Sequence, residues 1–388
     1  MNSRQYFGSN SSNSSSVPYS PPVWLRDALY ESGRHVPTSR YLLSQQPTPL
    51  YRWHLSPALV PPELGIELYI KRDDFTGMEL SGNKIRKLEF ILADAKAKGH
   101  DCVVTLGGIQ SNHCRATAVA ARMVGLDSHL ILRGPKDSVD PGVDGNLLIE
   151  RMVGAKVYLV TKEEYARYGQ TRLGEALVEE LQRVHKKNPY LIVVGGSSML
   201  GTYGYIGMVE ELEEQSRALC DGMRWDYVVA PCGSGGTVAG ISLGLYLSEY
   251  FSGCTCIGYM VCDNEEYFSG YIENIYKEMG FSEERAVEIA SSIRFSQAKG
   301  AGYAMSRKDE LETIAQVARD SCVVLDPVYT GKALHGLLRD IRENPEEFRG
   351  KRILFCHTGG LFSYGSSQRR DIEPFIQKDS VVQRFQMN

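Results

Sequence analysis

The chain has 388 residues, of which 43% are hydrophobic and 23% charged, and its formal net charge at pH 7 is −4. This length allows two domains with a large core, whereas the acidic balance argues against a nucleic-acid-binding protein, which would carry a basic domain. No uninterrupted apolar run approaches the roughly 20 residues that cross a bilayer. We therefore expect neither nucleic acid nor a membrane as a partner.

The N-terminal stretch MNSRQYFGSNSSNSSSVPYSPP is rich in serine and asparagine. It lacks the apolar segment of a secretory signal, and it offers little that could pack into a core. We therefore predict a disordered tail over residues 1–22. No acidic residue precedes Asp27, as in mitochondrial transit peptides, but Arg4 is the only early cation. We expect a cytoplasmic protein, with mitochondrial import as the alternative.

The nine cysteines form no Cys-x-x-Cys pair. Cys254 and Cys256 are too close together for the usual zinc knuckle, and we predict no metal site. Cys102 and Cys356 lie inside apolar runs. This placement favours buried free thiols in a reducing compartment over disulfides.

Short β-branched runs alternate with helical patterns from residue 66 onward. The predicted strands are 66–72, 102–108, 128–134, 155–160, 190–196, 226–232, 254–261, 322–327 and 352–358. Ile85, Leu88 and Leu92 recur at spacings of three and four, which predicts a helix that ends at Gly99. The alternation predicts an α/β fold with mostly parallel sheet and helices on both faces.

Four loops at the carboxyl ends of predicted strands carry unusual side chains. Ligands of open parallel sheets bind at these ends, where loops lead into helices. The loops are LSGNKIRK (80–87), GGIQSNHC (107–114), PCGSGGTVAG (231–240) and HTGG (357–360).

The third of these loops has the features of a phosphate cradle. Gly233, Gly235 and Gly236 let the backbone approach a ligand, and Ser234 and Thr237 add hydroxyl groups. The free N–H groups and the dipole of the following helix attract an anion. The loop is neither G-x-G-x-x-G nor followed by a Walker lysine, so a monophosphate suits it better than a pyrophosphate. A tight turn that merely needs glycine is the alternative.

The GGIQSNHC loop admits two interpretations. Ser111 or Asn112 can simply cap the following helix, because both residue types are preferred at that position. Alternatively Ser111, Asn112 and His113, with their free N–H groups, bind a substrate carboxylate. The loop alone does not decide between them.

Three cations, Lys84, Arg86 and Lys87, follow the Ser-Gly-Asn turn. We expect Arg86 to be a solvated surface charge. Lys84 comes directly after the turn, and a desolvated lysine near other cations has a lowered pKa and acts as a nucleophile or base. Beside a phosphate cradle, such a lysine indicates pyridoxal phosphate, held as a Schiff base. Tyr303 and Tyr329 lie near glycines in predicted loops, where tyrosine alone is a weak signal.

The stretches IKRDDFTGMELSGNKIRKLEF and TLGGIQSNHCRATA resemble the fold-type-II pyridoxal-phosphate enzymes. More narrowly, they are similar to the branch that holds 1-aminocyclopropane-1-carboxylate deaminases and D-cysteine desulfhydrases. The resemblance runs from about Pro49 to the HTGG loop. It implies a two-domain architecture similar to the tryptophan synthase β subunit, with a small domain over 88–198 and a cofactor-binding domain over 23–87 and 199–388. It also implies a homodimer.

The resemblance implies which residues hold the cofactor. Lys84 matches the lysine that carries it covalently, Asn83 a residue that contacts the oxygen on its ring, and Lys87 a residue that neutralises its phosphate. Gly233, Ser234, Gly235, Gly236 and Thr237 match the phosphate loop.

The substrate side follows from the same resemblance. Ser111 matches an active-site serine, and Asn112 and His113 match its carboxylate-binding neighbours, of which Asn112 also borders the cofactor. Tyr303 and Tyr329 match two tyrosines that flank the substrate. A non-catalytic carrier of the cofactor, which is the alternative from another functional class, would not need these groups.

Two positions discriminate within the branch. The deaminases carry Glu directly after the second tyrosine and Leu before the final Gly-Gly, whereas Thr330 and Thr358 stand here, as in D-cysteine desulfhydrases. A carboxylate that faces the ring nitrogen of the cofactor keeps this nitrogen protonated, so the ring withdraws electrons more strongly. Eliminating thiolate requires less electron withdrawal than opening a cyclopropane.

The resemblance therefore implies α,β-elimination of D-cysteine to pyruvate, ammonia and hydrogen sulfide. The alternative is deamination of 1-aminocyclopropane-1-carboxylate to 2-oxobutanoate and ammonia. Related eliminations on L-cysteate or D-serine derivatives stay open.

Overall fold

The computed structural model describes residues 15–29, 36–134, 140–219, 223–365 and 368–377. Its strands are β1 (Val17–Pro18), β2 (Ser39–Arg40), β3 (Leu50–Arg52), β4 (Glu67–Lys71), β5 (Cys102–Gly108), β6 (Asp127–Arg133), β7 (Lys156–Val160), β8 (Pro189–Leu191), β9 (Tyr227–Cys232), β10 (Thr255–Met260), β11 (Arg294–Gln297) and β12 (Arg352–Cys356). Its α-helices are α1 (Val23–Leu29), α2 (Lys84–Ala97), α3 (Asn112–Met123), α4 (Asn146–Met152), α5 (Lys162–His185), α6 (Met199–Ala218), α7 (Gly236–Leu247), α8 (Glu265–Met279), α9 (Glu283–Ser291), α10 (Lys308–Ser321), α11 (Thr330–Glu343), α12 (Pro345–Phe348) and α13 (Gln368–Gln377).

Two larger sheets organise these elements. One has the strand order β11-β10-β9-β12-β4-β3 and is parallel except for the β3–β4 pair. The other has the order β7-β6-β5-β8 and is parallel throughout. Val228 packs into one hydrophobic core and Val229 into another, because successive side chains of a strand point to opposite faces. The predicted α/β fold with mostly parallel sheets is confirmed.

The strand order places the predicted loops together. Strands β9, β12 and β4 are parallel neighbours in the six-stranded sheet, so their carboxyl ends lie at one edge. The loops after them are the third, fourth and first of the four loops singled out above. The second follows β5, a central strand of the other sheet.

Two strand predictions need correction. Residues 322–327 form no strand, since Cys322 takes a left-handed conformation at the end of α10 and the Asp326 carboxylate accepts hydrogen bonds from backbone N–H groups that follow it. The predicted strand 190–196 is too long. The observed strand, β8, spans only Pro189–Leu191, and Gly195 and Gly196 turn the chain with positive φ angles.

The predicted disordered tail is too long. Residues 1–14 lie outside the described part of the chain, but Val17–Pro18 pairs with Ser39–Arg40. The Tyr19 ring packs edge-on against Phe90, with 4.7 Å between centroids. Aromatic contacts of this kind hold the segment in place.

The division into domains stays a prediction. The strands of the four-stranded sheet all fall within 88–198, and those of the six-stranded sheet fall outside it. The boundary proposed after residue 87 lies inside α2, which begins at Lys84 and ends at Ala97. None of the helices in the described ranges is long and apolar enough to cross a membrane.

Candidate active site

A cavity of about 290 Å³ lies where the four loops meet. We call it the active-site cavity. The predicted site residues that line it are Asn83, Lys84, Ser111, Asn112, His113, Gly233, Ser234, Gly235, Thr237, Tyr303, Tyr329 and Thr358. Lys87, Gly236 and Thr330 are close in the chain to lining residues but do not line the cavity.

The turn before Lys84 packs directly against the HTGG loop. Gly82 has φ +107°, and a Cβ atom there would come within 2.7 Å of the Thr358 carbonyl oxygen. The Asn83 backbone N–H donates to the same oxygen at 3.1 Å. Only glycine permits this approach, which brings Lys84 to the cavity as the first residue of α2.

The Lys84 amine is an available nucleophile. Burial lowers its pKa to about 8, because a desolvated amine favours its neutral form. Within the described part of the chain, no group hydrogen-bonds this amine. An unpartnered, partly neutral amine that faces a cavity is the group needed to bind a carbonyl compound covalently.

The hydrogen bonds of His113 fix its tautomer. The Thr105 hydroxyl donates its one hydrogen to the Ile192 carbonyl oxygen at 2.9 Å, so it accepts from His113 Nε2, also at 2.9 Å. The Nδ1 atom is then the unprotonated nitrogen, and it is buried without a partner among the described residues. Burial, and then the charges of Lys84 and Lys87, lower the pKa of His113 well below its usual value.

The capping interpretation of the GGIQSNHC loop is confirmed, whereas carboxylate binding by Ser111, Asn112 and His113 stays a prediction. The Ser111 hydroxyl caps α3 by accepting from the Cys114 N–H at 3.1 Å, and Ser111 also lines the cavity. The Asn112 side-chain oxygen accepts from the Asn146 amide at 3.1 Å. A Cβ atom on Gly107 would meet Ser111 at 2.6 Å, so glycine is required there.

The glycine loop, residues 233–237, leads into α7. The N-cap residue Gly235 has φ +81° and supplies no side-chain cap. Asn83 donates to the Thr237 hydroxyl at 2.9 Å, which ties this loop to the Lys84 turn. A helix N-terminus whose N-cap residue has no side chain can bind phosphate through the N–H groups that stay free.

Ser197 is a site residue that the sequence analysis missed. Its hydroxyl accepts from the Gly236 N–H at 3.2 Å and donates to the Ser234 hydroxyl at 2.8 Å, so it holds the glycine loop from outside. The signal was available, since GGSS at 195–198 follows an apolar run just as GGIQS does.

Lys87 is linked to the glycine loop through Ser197, whose hydroxyl group contacts both the Lys87 amine and the loop. Its buried amine lies 3.4 Å from the Ser197 hydroxyl and 3.3 Å from the Gly195 carbonyl oxygen. Burial, and then the charge of Lys84, lower its pKa well below the usual value. Its predicted role at the phosphate stays a prediction.

Two tyrosines, Tyr303 and Tyr329, also line the cavity. The hydroxyl oxygens of Tyr303 and Tyr329 lie 2.6 Å apart, and Tyr303 remains 39% exposed. A Cβ atom on Gly233 would come within 2.8 Å of the Tyr329 ring, so glycine lets this ring lie against the loop. Burial, and then Tyr303, raise the pKa of the Tyr329 hydroxyl well above its usual value.

The two threonines that discriminate within the branch have different surroundings. Thr358 lines the cavity. The Thr330 hydroxyl is buried and donates to the Asp326 carboxylate at 2.6 Å, while it accepts from the Asp326 N–H at 2.9 Å. Contact of Thr330 with a cofactor stays a prediction.

The expectation that Arg86 is a surface charge is wrong. Its side chain is 1% exposed and makes two hydrogen bonds of 2.9 Å to the Asp73 carboxylate. It also bonds the Glu211 carboxylate at 3.0 Å, and Glu211 in turn contacts the buried Lys71. Four buried charges therefore pair beneath the first turn of α2, because an unpaired buried charge would be costly.

The cavity is electropositive. Of the described residues that line it, none is Asp or Glu, whereas Lys84 and Arg133 are cationic. Two thiols, those of Cys232 and Cys262, also line it. Burial raises the pKa of both, and that of Cys262 to about 12. Neither Arg133 nor these thiols had been predicted from the sequence as site residues.

These residues fit pyridoxal phosphate. The unpartnered Lys84 amine can bind its aldehyde, the N-terminus of α7 can hold its phosphate, and the absence of Asp and Glu from the described lining suits an anion. A family model described as "Pyridoxal-phosphate dependent enzyme" matches residues 41–359. The chain belongs to this family. Its cofactor is therefore pyridoxal phosphate.

Relatives of this pyridoxal-phosphate-dependent enzyme carry more specific names. A bifunctional D-cysteine desulfhydrase/1-aminocyclopropane-1-carboxylate deaminase, mitochondrial, from Arabidopsis thaliana is 45% identical over 95% of this chain and 91% of its own length. A D-cysteine desulfhydrase from Serratia proteamaculans is 36% identical over 78% of this chain and 89% of its own. The crystal structure of an ACC deaminase homologue superposes with a TM-score of 0.73 at 32% identity, covering 91% of this chain and 99% of that one. The predicted fold-type-II architecture is confirmed.

Proposed function

We propose that the protein catalyses α,β-elimination of D-cysteine to pyruvate, ammonia and hydrogen sulfide. The observation that carries this proposal is the Lys84 amine, free of described partners and with a pKa lowered to about 8, in a cavity that two tyrosines line. The names of the Arabidopsis and Serratia relatives support D-cysteine as the substrate.

Each protein group in the cavity has a separate role in the proposed reaction. When bound, pyridoxal phosphate supplies a ring that stabilises negative charge at the substrate Cα. Lys84, as a neutral amine, accepts the proton from Cα. The Asn112 N–H group and the side chains of Ser111 and Asn112 orient the substrate carboxylate, while the Ser111 N–H donates to the Gly108 carbonyl oxygen. Tyr329, which its high pKa keeps protonated, donates a hydrogen bond to the sulfur as the Cβ–S bond breaks, with Ser111 as the alternative donor, and the sulfur leaves as hydrosulfide with the bonding electron pair.

A substrate panel tests the proposal. Purified holoenzyme is incubated with D-cysteine, L-cysteine, D-serine, L-cysteate and 1-aminocyclopropane-1-carboxylate, and pyruvate, 2-oxobutanoate and sulfide are measured in the same wells. We expect equal amounts of pyruvate and sulfide from D-cysteine, because the elimination releases one of each. Sulfide from L-cysteine alone, or no product from any substrate, would refute the proposal.

Deamination of 1-aminocyclopropane-1-carboxylate is a second candidate, since the name of the Arabidopsis relative includes both activities. Here Thr330 is bonded to Asp326 and supplies no carboxylate towards a ring nitrogen. We therefore expect 2-oxobutanoate to form far more slowly than pyruvate. The same wells decide between the two activities.

Covalent loading of the cofactor should show the lowered pKa of Lys84. Only the neutral amine attacks an aldehyde, and a pKa of about 8 leaves about a tenth of it neutral at pH 7, against less than about 0.1% for an unperturbed lysine. Neutral amine increases as pH rises, so the rate at which apo-protein takes up pyridoxal phosphate should rise and reach half its maximum near pH 8.

The loading rate is measured from the absorbance change on attachment between pH 6 and 10. Nα-acetyl-lysine, followed under the same conditions, corrects for titration of the cofactor itself. A half-maximum at or above pH 10 would contradict the lowered pKa.

Two further properties stay proposals. We expect a homodimer, as the resemblance implies, and sedimentation of the holoenzyme at micromolar concentration tests it. The word mitochondrial in the name of the Arabidopsis relative supports import over a cytoplasmic location. A full-length fluorescent fusion in cells distinguishes the two locations.

A further inference from the structure

Another buried lysine, Lys332, lies behind the tyrosine pair. Its side chain is 0% exposed and faces the Glu310 carboxylate at 3.2 Å. Its amine donates to the backbone carbonyl oxygens of Lys299 at 2.8 Å and Met305 at 2.7 Å. An ammonium has three N–H donors and no acceptor, so these three oxygens use its full capacity.

The two carbonyl groups lie at the ends of one short loop, residues 299–305, which carries Tyr303. We call it the Tyr303 loop. Within it Gly300, Gly302 and Ala304 have positive φ angles of 62°, 144° and 57°. A non-glycine residue such as Ala304 holds such an angle only where its surroundings enforce it.

Gly300 shows how closely the ion pair sits under the Tyr303 loop. A Cβ atom at this position would meet the Glu310 carboxylate at 2.2 Å and the Lys332 amine at 3.0 Å. The Glu310 carboxylate also accepts from the Arg307 N–H at 2.7 Å, just beyond the loop. The ion pair thus fills the space beneath the loop and leaves no room for a side chain at Gly300.

Lys332 also belongs to the segment that carries the other tyrosine. It lies in the first turn of α11, three residues after Tyr329. One ammonium therefore joins the Tyr303 loop to the start of the helix behind Tyr329. The hydroxyl groups of the two tyrosines meet at 2.6 Å on the cavity side of this connection.

We propose that Lys332 is a positioning residue that holds the Tyr303 hydroxyl against Tyr329 through the two carbonyl groups of the Tyr303 loop. The proposal rests on the proposed function of the tyrosine pair. Lys332 itself does not line the active-site cavity. It acts as an internal cation whose removal releases the loop that carries Tyr303, while every residue that lines the cavity keeps its chemical identity.

The first test compares Lys332→Ala with Lys332→Met. Both remove the charge, but only alanine leaves space for a small cation. A cavity of about 770 Å³, which Lys332, Glu310 and Gly300 help to line, gives access to that space. We expect both variants to lower kcat/KM for D-cysteine on the order of 100-fold, as for a reacting group displaced by about 1 Å. Methylammonium should restore Lys332→Ala with saturation and leave Lys332→Met unchanged.

A second readout needs neither cofactor nor substrate. Chymotrypsin cleavage after Tyr303 reports directly on release of the Tyr303 loop. It should be at least about tenfold faster in both variants than in wild type, because local opening governs such cleavage, and methylammonium should slow it again in Lys332→Ala. If the wild type fails to turn over D-cysteine, the proposed function fails while this readout still tests Lys332.

Lys308→Ala is the matched control. Lys308 is the first residue of α10, 81% exposed, and pairs with Glu312 at 3.7 Å. Loss of such an exposed pair has little effect. We expect wild-type cleavage after Tyr303, wild-type turnover and no response to methylammonium.

A double-mutant cycle shows whether Lys332 acts through Tyr303. If it does, Lys332→Ala combined with Tyr303→Phe should lose no more activity than the more impaired of the two single variants. Losses that multiply would overturn the proposal. So would wild-type cleavage after Tyr303, together with kcat within twofold of wild type, in both Lys332 variants.

Discussion

Lys84→Ala holoenzyme should lose at least about 10³-fold in kcat/KM for D-cysteine, because the proposed function uses this one amine as covalent anchor and as base, and loss of a general base alone removes about 10²–10⁴-fold. The fold should persist, since no described group hydrogen-bonds the Lys84 amine. Steady-state sulfide release gives the rate, and far-ultraviolet circular dichroism checks the fold.

Lys98→Ala is the control for this variant. Lys98 lies at the other end of α2, 59% exposed, and pairs with Asp94 on the surface. We expect wild-type turnover. If Lys84→Ala forms sulfide at the wild-type rate, Lys84 is neither anchor nor base, and the proposed chemistry fails.

Arg86→Met should destabilise the protein by about 3–5 kcal/mol, which is the usual effect of removing one partner from a buried ion pair. The change leaves Asp73 and Glu211 buried with less countercharge, since Arg86 bonds both carboxylates. The free energy of unfolding is measured by urea denaturation of the apo-protein followed by circular dichroism.

Arg172→Met is the matched substitution at the surface. Arg172 is 62% exposed and pairs with Glu179 at 3.6 Å, an arrangement worth at most about 1 kcal/mol. Equal urea midpoints for Arg86→Met and wild type would show that the buried network does not stabilise the fold.

The sequence allowed much of the cavity to be predicted. Strand periodicity located β4, β9 and β12 as well as β5 of the other sheet, and parallel neighbours such as β4, β9 and β12 collect their carboxyl-end loops at one edge. The polar residues of the loops after these three strands therefore had to lie close together. The glycines of the 231–240 loop, such as Gly233, then indicated where the backbone can approach a ligand closely.

What the sequence could not give are partners that are distant in the chain. Arg86 was predicted to be a surface charge, because its partner Glu211 lies 125 residues away on α6. Lys332 gave no signal either, since backbone carbonyl groups such as that of Lys299 can hold an ammonium whatever their side chains are. Local periodicity carries no information about such pairs.

Burial of the groups that line the cavity also determines whether an amine or a thiol reacts with a carbonyl ligand there. Desolvation favours neutral forms, and the neutral form is reactive for an amine but unreactive for a thiol. The same surroundings that bring Lys84 to a pKa of about 8 bring Cys262 to about 12. The two cavity thiols therefore stay protonated at neutral pH and do not compete for an aldehyde. Selectivity for the amine therefore needs no further residue that blocks the thiols, because the same desolvation makes the amine reactive and keeps the thiols unreactive.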